Sequence, residues 1–281
     1  MPRVTEVPGV ALITGAASGI AQSIALAFAQ AGCTQLALLD INEDGLAKTK
    51  TLVEDTIKAD FPHQTAKINT YKCDVSSPQS VEAVYKAVND KFGRIDYSVH
   101  CAAVGFLKAT ADTSVDDFDK VNSIDYRGLW LCSREAIKIM LRQNLNSEAY
   151  AGFKIPDTRA QRGAIVNISS GLALYAQPNG SAYCGAKAGV LGLTRADAID
   201  YAKDRIRVNA VLPGVIATPA TTTDPEIRAY MESMPVRQTP FRRFGLPEEI
   251  ADVTVFLAGV KASYVSGASW TVDGGFTAGY T

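Results

Sequence analysis

The stretch from Val10 to Asp40 constrains the fold more than any other part of the chain. Val10-Ala11-Leu12-Ile13 is a continuous apolar run that passes straight into Thr14-Gly15-Ala16-Ala17-Ser18-Gly19-Ile20-Ala21. Gln22 to Ala31 then carries apolar residues at helical spacing, and Gln35 to Leu39 is a second strand closing on Asp40. A buried strand, a glycine turn, a helix, a second strand and an acid in that order form a βαβ unit of the dinucleotide-binding kind. Its glycines let backbone approach a pyrophosphate, and the helix start offers free N–H groups and a positive dipole end. Gly15, Ser18, Gly19 and Ile20 are the residues expected to form that cradle.

Asp40 bears on which dinucleotide binds. A carboxylate at the end of the second strand accepts hydrogen bonds from both hydroxyls of an adenosine ribose and repels a 2′-phosphate, which favours NAD over NADP. The same residue could instead cap the helix beginning near Glu43. Further on, the pattern alternates strand and helix: helix over Glu43–Ala59, strand over Lys67–Cys73, helix over Ser80–Phe92, strand over Asp96–His100, and a long helix over Ser114–Leu141. Strands over Ala164–Ile168, Ile206–Leu212 and Ala268–Val272 follow, with a helix from Ser181 to about Tyr201 and another opened by Pro247. Near-continuous apolar strands between helices call for an α/β fold: one Rossmann-type doubly wound parallel sheet of about seven strands, with helices on both faces. Residues 1–281 read as a single domain, with a polar, proline-broken surface insertion at 143–162 that could touch a neighbouring subunit or the rim of the site.

Composition narrows the function classes. The 281 residues hold 28 Lys plus Arg against 29 Asp plus Glu, so no basic surplus calls for nucleic acid or an anionic membrane surface. No run reaches the ~18–20 apolar residues of a membrane span. Cys33, Cys73, Cys101, Cys132 and Cys184 are scattered without paired spacing, which suits free thiols in a reducing compartment and supports a cytoplasmic expectation. No His, Cys and Asp cluster has metal-ligand spacing, so no metal is expected.

The chemistry points to Gly163–Lys187. Strand Ala164–Ile168 runs into Ser169-Ser170, and after a loop Tyr183 and Lys187 stand four residues apart. On a helix opened by Ser181 both side chains share one face. A phenol beside an ammonium is an acid/base unit, since a close positive charge favours phenolate. A serine hydroxyl can hold a carbonyl or carbinol oxygen beside it. Taken alone, the spacing also suits a solvated helical pair.

Across residues 8 to 276 the chain resembles the classical short-chain dehydrogenase/reductase family. The first motif is similar to that family's Thr-Gly-x-x-x-Gly-x-Gly, with Ala21 at the last glycine. Ser170 stands thirteen residues before Tyr183, the family's usual spacing, which makes Ser169 the poorer partner. The resemblance implies a catalytic set of Asn122, Ser170, Tyr183 and Lys187, in which Asn122 kinks its helix and holds a water linking the lysine to solvent. An exposed structural Asn is the other reading of Asn122.

The resemblance also implies adenine contacts from Asp74 and Val75, room for the cofactor at Ala102, and carboxamide contacts from Ile216 and Thr218 in a Pro-Gly-x-x-x-Thr. Tyr183 and Lys187 would meet the cofactor as well. Ser18 and Ile41, where phosphate-binding relatives often carry Arg or Lys, are uncharged. His100-Cys101-Ala102-Ala103 departs from the family's Asn-Asn-Ala-Gly; a structural imidazole and a small buried thiol fit better than catalytic ones.

Residues 215–246 are expected to form a substrate lid. Leu172, Gln177 and Met231 are the expected substrate contacts, with Leu174, Tyr175, Met234 and Phe241 nearby. The implied activity is NAD-dependent interconversion of a secondary alcohol and a ketone on an apolar steroid-, terpenoid- or polyketide-like molecule, as in secondary metabolism. An NADPH-dependent carbonyl or 3-oxoacyl reductase is the alternative, and a non-catalytic dinucleotide-binding protein a more remote one. A homotetramer is the assembly the resemblance implies.

Overall fold

In the computed structural model, residues 7–146, 156–233 and 235–279 are described. The strands are β1 (Val10–Thr14), β2 (Gln35–Asp40), β3 (Lys67–Lys72), β4 (Tyr97–His100), β5 (Gly163–Ile168), β6 (Ile206–Pro213) and β7 (Ser269–Val272). They form one sheet in the order β3-β2-β1-β4-β5-β6-β7, parallel throughout. The order reverses between β1 and β4. At that switch point the loops after the two strands diverge and leave a crevice at the strands' carboxyl ends.

The helices are α1 (Gly19–Gln30), α2 (Glu43–Asp60), α3 (Pro78–Phe92), α4 (Val115–Asp125), α5 (Arg127–Met140), α6 (Ser181–Asp200), α7 (Pro219–Thr222), α8 (Pro225–Ser233), α9 (Pro235–Gln238) and α10 (Pro247–Ala258). Alternate residues of β1 face opposite layers. Ala11 and Ile13 pack with Ile24 and Phe28 of α1, Leu46 and Val53 of α2, and Ile250 and Leu257 of α10. Leu12 packs on the other side with Val84 and Tyr85 of α3 and Leu131 and Ile137 of α5. Burial of this two-sided kind is what near-continuous apolar strands require.

The 114–141 region is not one helix. It breaks at Tyr126, whose backbone (φ −117°, ψ −63°) ends α4 and begins α5. Gly128 lies just past the break, where a Cβ would stand 3.0 Å from both the Val75 and Ser123 carbonyl oxygens. The break lets the chain pass close to the loop after β3 and turns Asp125 into the interior, where it is fully buried.

The 143–162 insertion is described only at its ends, 147–155 lying outside the described residues. Those ends are tied down: Asn146 and Gln161 bridge antiparallel, and the Gln161 amide donates to the Ala258 carbonyl at 3.0 Å. They sit at the amino ends of β5 and β6, away from the crevice, so the described part does not form a rim of the site. Among the described residues no helix is long and apolar enough to cross a membrane.

Candidate active site

The crevice is built by backbone first. Thr14, at the end of β1, is buried, and its Oγ1 accepts the N–H groups of Cys101 (3.0 Å) and Ala102 (3.2 Å). This clamps the loop after β4 against Gly15, which has φ +75° and would place a Cβ 2.9 Å from the Ala102 Cα and N. Only glycine combines that conformation with that approach. Gly19, the first residue of α1, has φ +58°. Ser18 caps α1 without a side-chain hydrogen bond, so first-turn N–H groups are left to face the cleft.

Gly15, Ser18, Gly19, Ile20, Asp40, Asp74, Val75, Ala102 and Thr218 all line that cleft, and none of its described lining residues is Lys or Arg. Asp40 does not cap α2; Asn42 does, accepting from the Gly45 N–H at 3.0 Å. The Asp40 carboxylate instead accepts the N–H groups of Ala17 (3.1 Å) and Asn42 (2.9 Å). It is therefore fixed at the cleft wall, across from the start of α1. Donors without partners at one end, a steric gap at Gly15 and a fixed carboxylate at the other end fit the pyrophosphate and ribose of a nicotinamide dinucleotide.

Ile216 and Tyr183 line a second cavity of about 860 Å³ next to it, together with Ser170, Leu172, Gln177, Tyr175, Met231 and Phe276. The three expected substrate contacts thus share one space with the expected serine and tyrosine. The 215–246 segment is stapled at its base, where the Gly245 N–H donates to the Val215 carbonyl (2.9 Å) and the Ala217 N–H to the Gly245 carbonyl (2.9 Å). Phe241 faces another hollow, with Thr239, Arg243 and Gly274, rather than this cavity. Met234 lies outside the described residues.

Ser181 is the first residue of α6, so Tyr183 and Lys187 share a helical face, with the Lys187 Nζ 5.5 Å from the Tyr183 ring centroid. Ser169 is occupied structurally, its hydroxyl donating to the Lys187 carbonyl at 2.9 Å. Ser170 opens into the cavity and accepts from the Leu172 N–H at 3.1 Å. Burial raises the proton affinity of the Tyr183 phenol; Lys187 opposes this, Asp125 adds to it, and a hydrogen bond with Ser170 opposes it. Lys187 thus acts in the expected direction, and the net direction is nonetheless upward. Desolvation of a phenolate outweighs the one nearby cation.

Asn122 is not brought to this group. Its amide donates to the Phe118 carbonyl at 2.9 Å, and its side chain lines an outward hollow with Asp119, Tyr126, Arg127 and Trp130. The residue that meets the lysine is Asp125, with Oδ2 3.2 Å from Lys187 Nζ. Sequence reasoning missed it, although a signal exists: Asp125 follows the buried Val121 by one helical turn, so an acid occupies the apolar stripe of α4.

His100 is buried between neighbouring strands. Its Nδ1 lies 2.8 Å from Asn167 Oδ1 and its Nε2 2.9 Å from Ser98 Oγ. The Asn167 amide donates onward to Thr194 of α6 at 3.0 Å. Burial pushes the imidazole down to about 4 despite the Asn167 contact, so it is a neutral strand tie rather than a base. Cys101 is pushed up to about 12 by burial and stays a thiol. Among the described residues no cluster of His, Cys, Asp and Glu could hold a metal ion.

A family model described as enoyl-(acyl carrier protein) reductase matches residues 15–277. The chain is 37% identical over 273 residues to cis-4-hydroxycyclohexanecarboxylate dehydrogenase of Sinomonas cyclohexanicum, covering 96% of each chain. It is 34% identical over 277 residues to levodione reductase of Leifsonia aquatica, covering 96% of this chain and 95% of the relative. A solved structure of a putative short-chain alcohol dehydrogenase from Sinorhizobium meliloti superposes with a TM-score of 0.84 at 31% identity, covering 98% of each chain. The protein belongs to the short-chain dehydrogenase/reductase family, whose members are oxidoreductases using a nicotinamide dinucleotide.

Proposed function

We propose that this protein is an NAD-dependent oxidoreductase interconverting a secondary alcohol and a ketone on a mainly apolar, ring-bearing small molecule. The observation that carries the reading is the composition of the 860 Å³ cavity: Ser170 and Tyr183 open into it, and no described lining residue is charged. A phosphorylated or carboxylate-rich substrate would find no counter-charge there. One relative's name, a hydroxycyclohexanecarboxylate dehydrogenase, supports a ring-borne secondary alcohol.

Tyr183 moves the proton between its phenol oxygen and the substrate oxygen, and Ser170 holds that oxygen beside it. Lys187 supplies the cation that favours phenolate. When bound, the nicotinamide supplies hydride acceptance or donation at the substrate carbon. Gly15, Ser18, Gly19, Ile20, Asp74, Val75, Ala102 and Thr218 would hold the dinucleotide, with Ile216 at the border with the substrate. Asp40 and the absence of Lys and Arg from the described cleft lining support NAD over NADP.

Exposed Phe118, Tyr126 and Trp130 of the α4–α5 region and Phe256 and Trp270 near the carboxyl end are surfaces a homotetramer would cover. The matched family model's description supports a second reading, an NADPH-dependent acyl-carrier-protein reductase.

Fluorescence titration of wild type and Asp40→Ala with NADH and NADPH separates the two readings. Tight NADH and weak NADPH binding in wild type, with the preference lost in the variant, is the expected result. A wild-type preference for NADPH would replace the first reading with the second.

A further inference from the structure

Lys187 is an ammonium with almost no water: 3% of its side chain is exposed. A buried lysine keeps its proton only if something nearby offsets its lost hydration. Four groups face it. Asp125 comes from the end of α4 at 3.2 Å, the Ile168 carbonyl from the end of β5 at 3.3 Å, Tyr183 from α6, and Cys101 from the loop after β4. The Ile168 carbonyl is neutral, and Cys101 and Tyr183 are both pushed toward their neutral forms by burial. Asp125 is the one group of the four that brings a full negative charge.

Asp125 is itself fully buried, and a second contact fixes it: Oδ1 accepts the Val104 N–H at 2.9 Å. Oδ2 has no other partner and meets the ammonium as an ion pair without a well-directed hydrogen bond. A carboxylate offers an acceptor oxygen to each of these two donors. A carboxamide has one oxygen and would turn its NH₂ toward either the backbone N–H or the ammonium.

We propose that Asp125 is a positioning residue of the reaction, the counter-ion that keeps Lys187 charged and aligned beside Tyr183. This rests on the reading of Tyr183 and Lys187 as the acid/base pair. Burial pulls the lysine's proton affinity down, Asp125 and then Tyr183 push it back, and the net direction is upward. The carboxylate also faces the phenol and disfavours phenolate, so Tyr183 senses a dipole rather than a lone cation. This adds to burial, the larger cause of the phenol's net upward shift.

The test is a pH titration of the full-length protein carrying lysine labelled with ¹³C at Cε, with Lys187 assigned by its loss in Lys187→Met. In wild type the Lys187 resonance should titrate above the ordinary 10.5. In Asp125→Asn it should titrate below that value. The pH profile of kcat/KM for alcohol oxidation gives an independent readout. Asp125→Asn should acquire a descending alkaline limb absent from wild type, falling about tenfold per pH unit as one group loses its proton.

A uniformly lowered profile with an unmoved lysine titration would mean a structural role only and would overturn the proposal. If the variant does not fold, wild type decides alone, because a Lys187 that titrates below 10.5 there contradicts a counter-ion role. Failure of the parent reading looks different: Tyr183→Phe would keep full activity whatever the lysine titration gives.

Discussion

The buried His100 makes a quantitative prediction about the frame that carries the site. It sits where β1, β4 and β5 run side by side, opposite Thr14 in one register and Asn167 in the other. Its contacts with Ser98 and Asn167 suit the neutral ring, with Nδ1–H donating to Asn167 and Nε2 accepting from Ser98. The folded imidazole is depressed from 6.5 to about 4. A depressed folded value means that its share of stability is present above 6.5 and is lost as the pH falls toward 4, because the unfolded chain takes up the proton first. The loss from this residue alone comes to about 2 kcal/mol by pH 5 and about 3 kcal/mol by pH 4.

Carboxylates titrate over the same range, so the informative quantity is the difference between wild type and His100→Asn. Urea denaturation followed by circular dichroism at pH 7, 6, 5 and 4 measures it. The stability advantage of wild type over the variant should shrink by the amounts above as the pH falls. An advantage constant to within about 0.5 kcal/mol would refute a neutral buried imidazole.

Two substitutions test the cleft. Thr14→Val keeps the shape but leaves the Cys101 and Ala102 N–H groups without their acceptor. It should cost about 2 to 3 kcal/mol in chemical denaturation, and a cost under about 0.5 kcal/mol would show that the clamp is dispensable. Gly15→Ala forces a Cβ against the Ala102 backbone at positive φ. It should weaken NADH binding roughly tenfold in a fluorescence titration while the fold persists, and unchanged binding would contradict the close approach.

The parallel sheet was legible because two-sided burial writes itself into the strands as unbroken apolar runs, and β1, β5 and β6 all show it. The cleft was legible for a similar reason: backbone that must pass close to a ligand needs glycine, and Gly15 and Gly19 stand where the turn requires them. What was not legible depended on where a helix breaks. Ser114 to Leu141 keeps helical spacing throughout, and no Pro interrupts it. The break at Tyr126 comes instead from tertiary contact, where Gly128 meets the Val75 carbonyl. The family resemblance put Asn122 beside the lysine; the bend gives that place to Asp125. The direction of the Tyr183 shift was missed because the cost of burying the phenol, which outweighs Lys187, is set by tertiary packing.

The central claim is that Tyr183 exchanges a proton with a substrate oxygen in the cavity it shares with Ser170. Its most direct test measures NADH formation at 340 nm with a panel of alicyclic secondary alcohols, for wild type and Tyr183→Phe, alongside NADH binding to both. Wild type should turn over at least one such alcohol. The variant should lose on the order of a thousandfold in kcat/KM while binding NADH as wild type does. A variant that turns over the same alcohol at an undiminished rate would contradict the account.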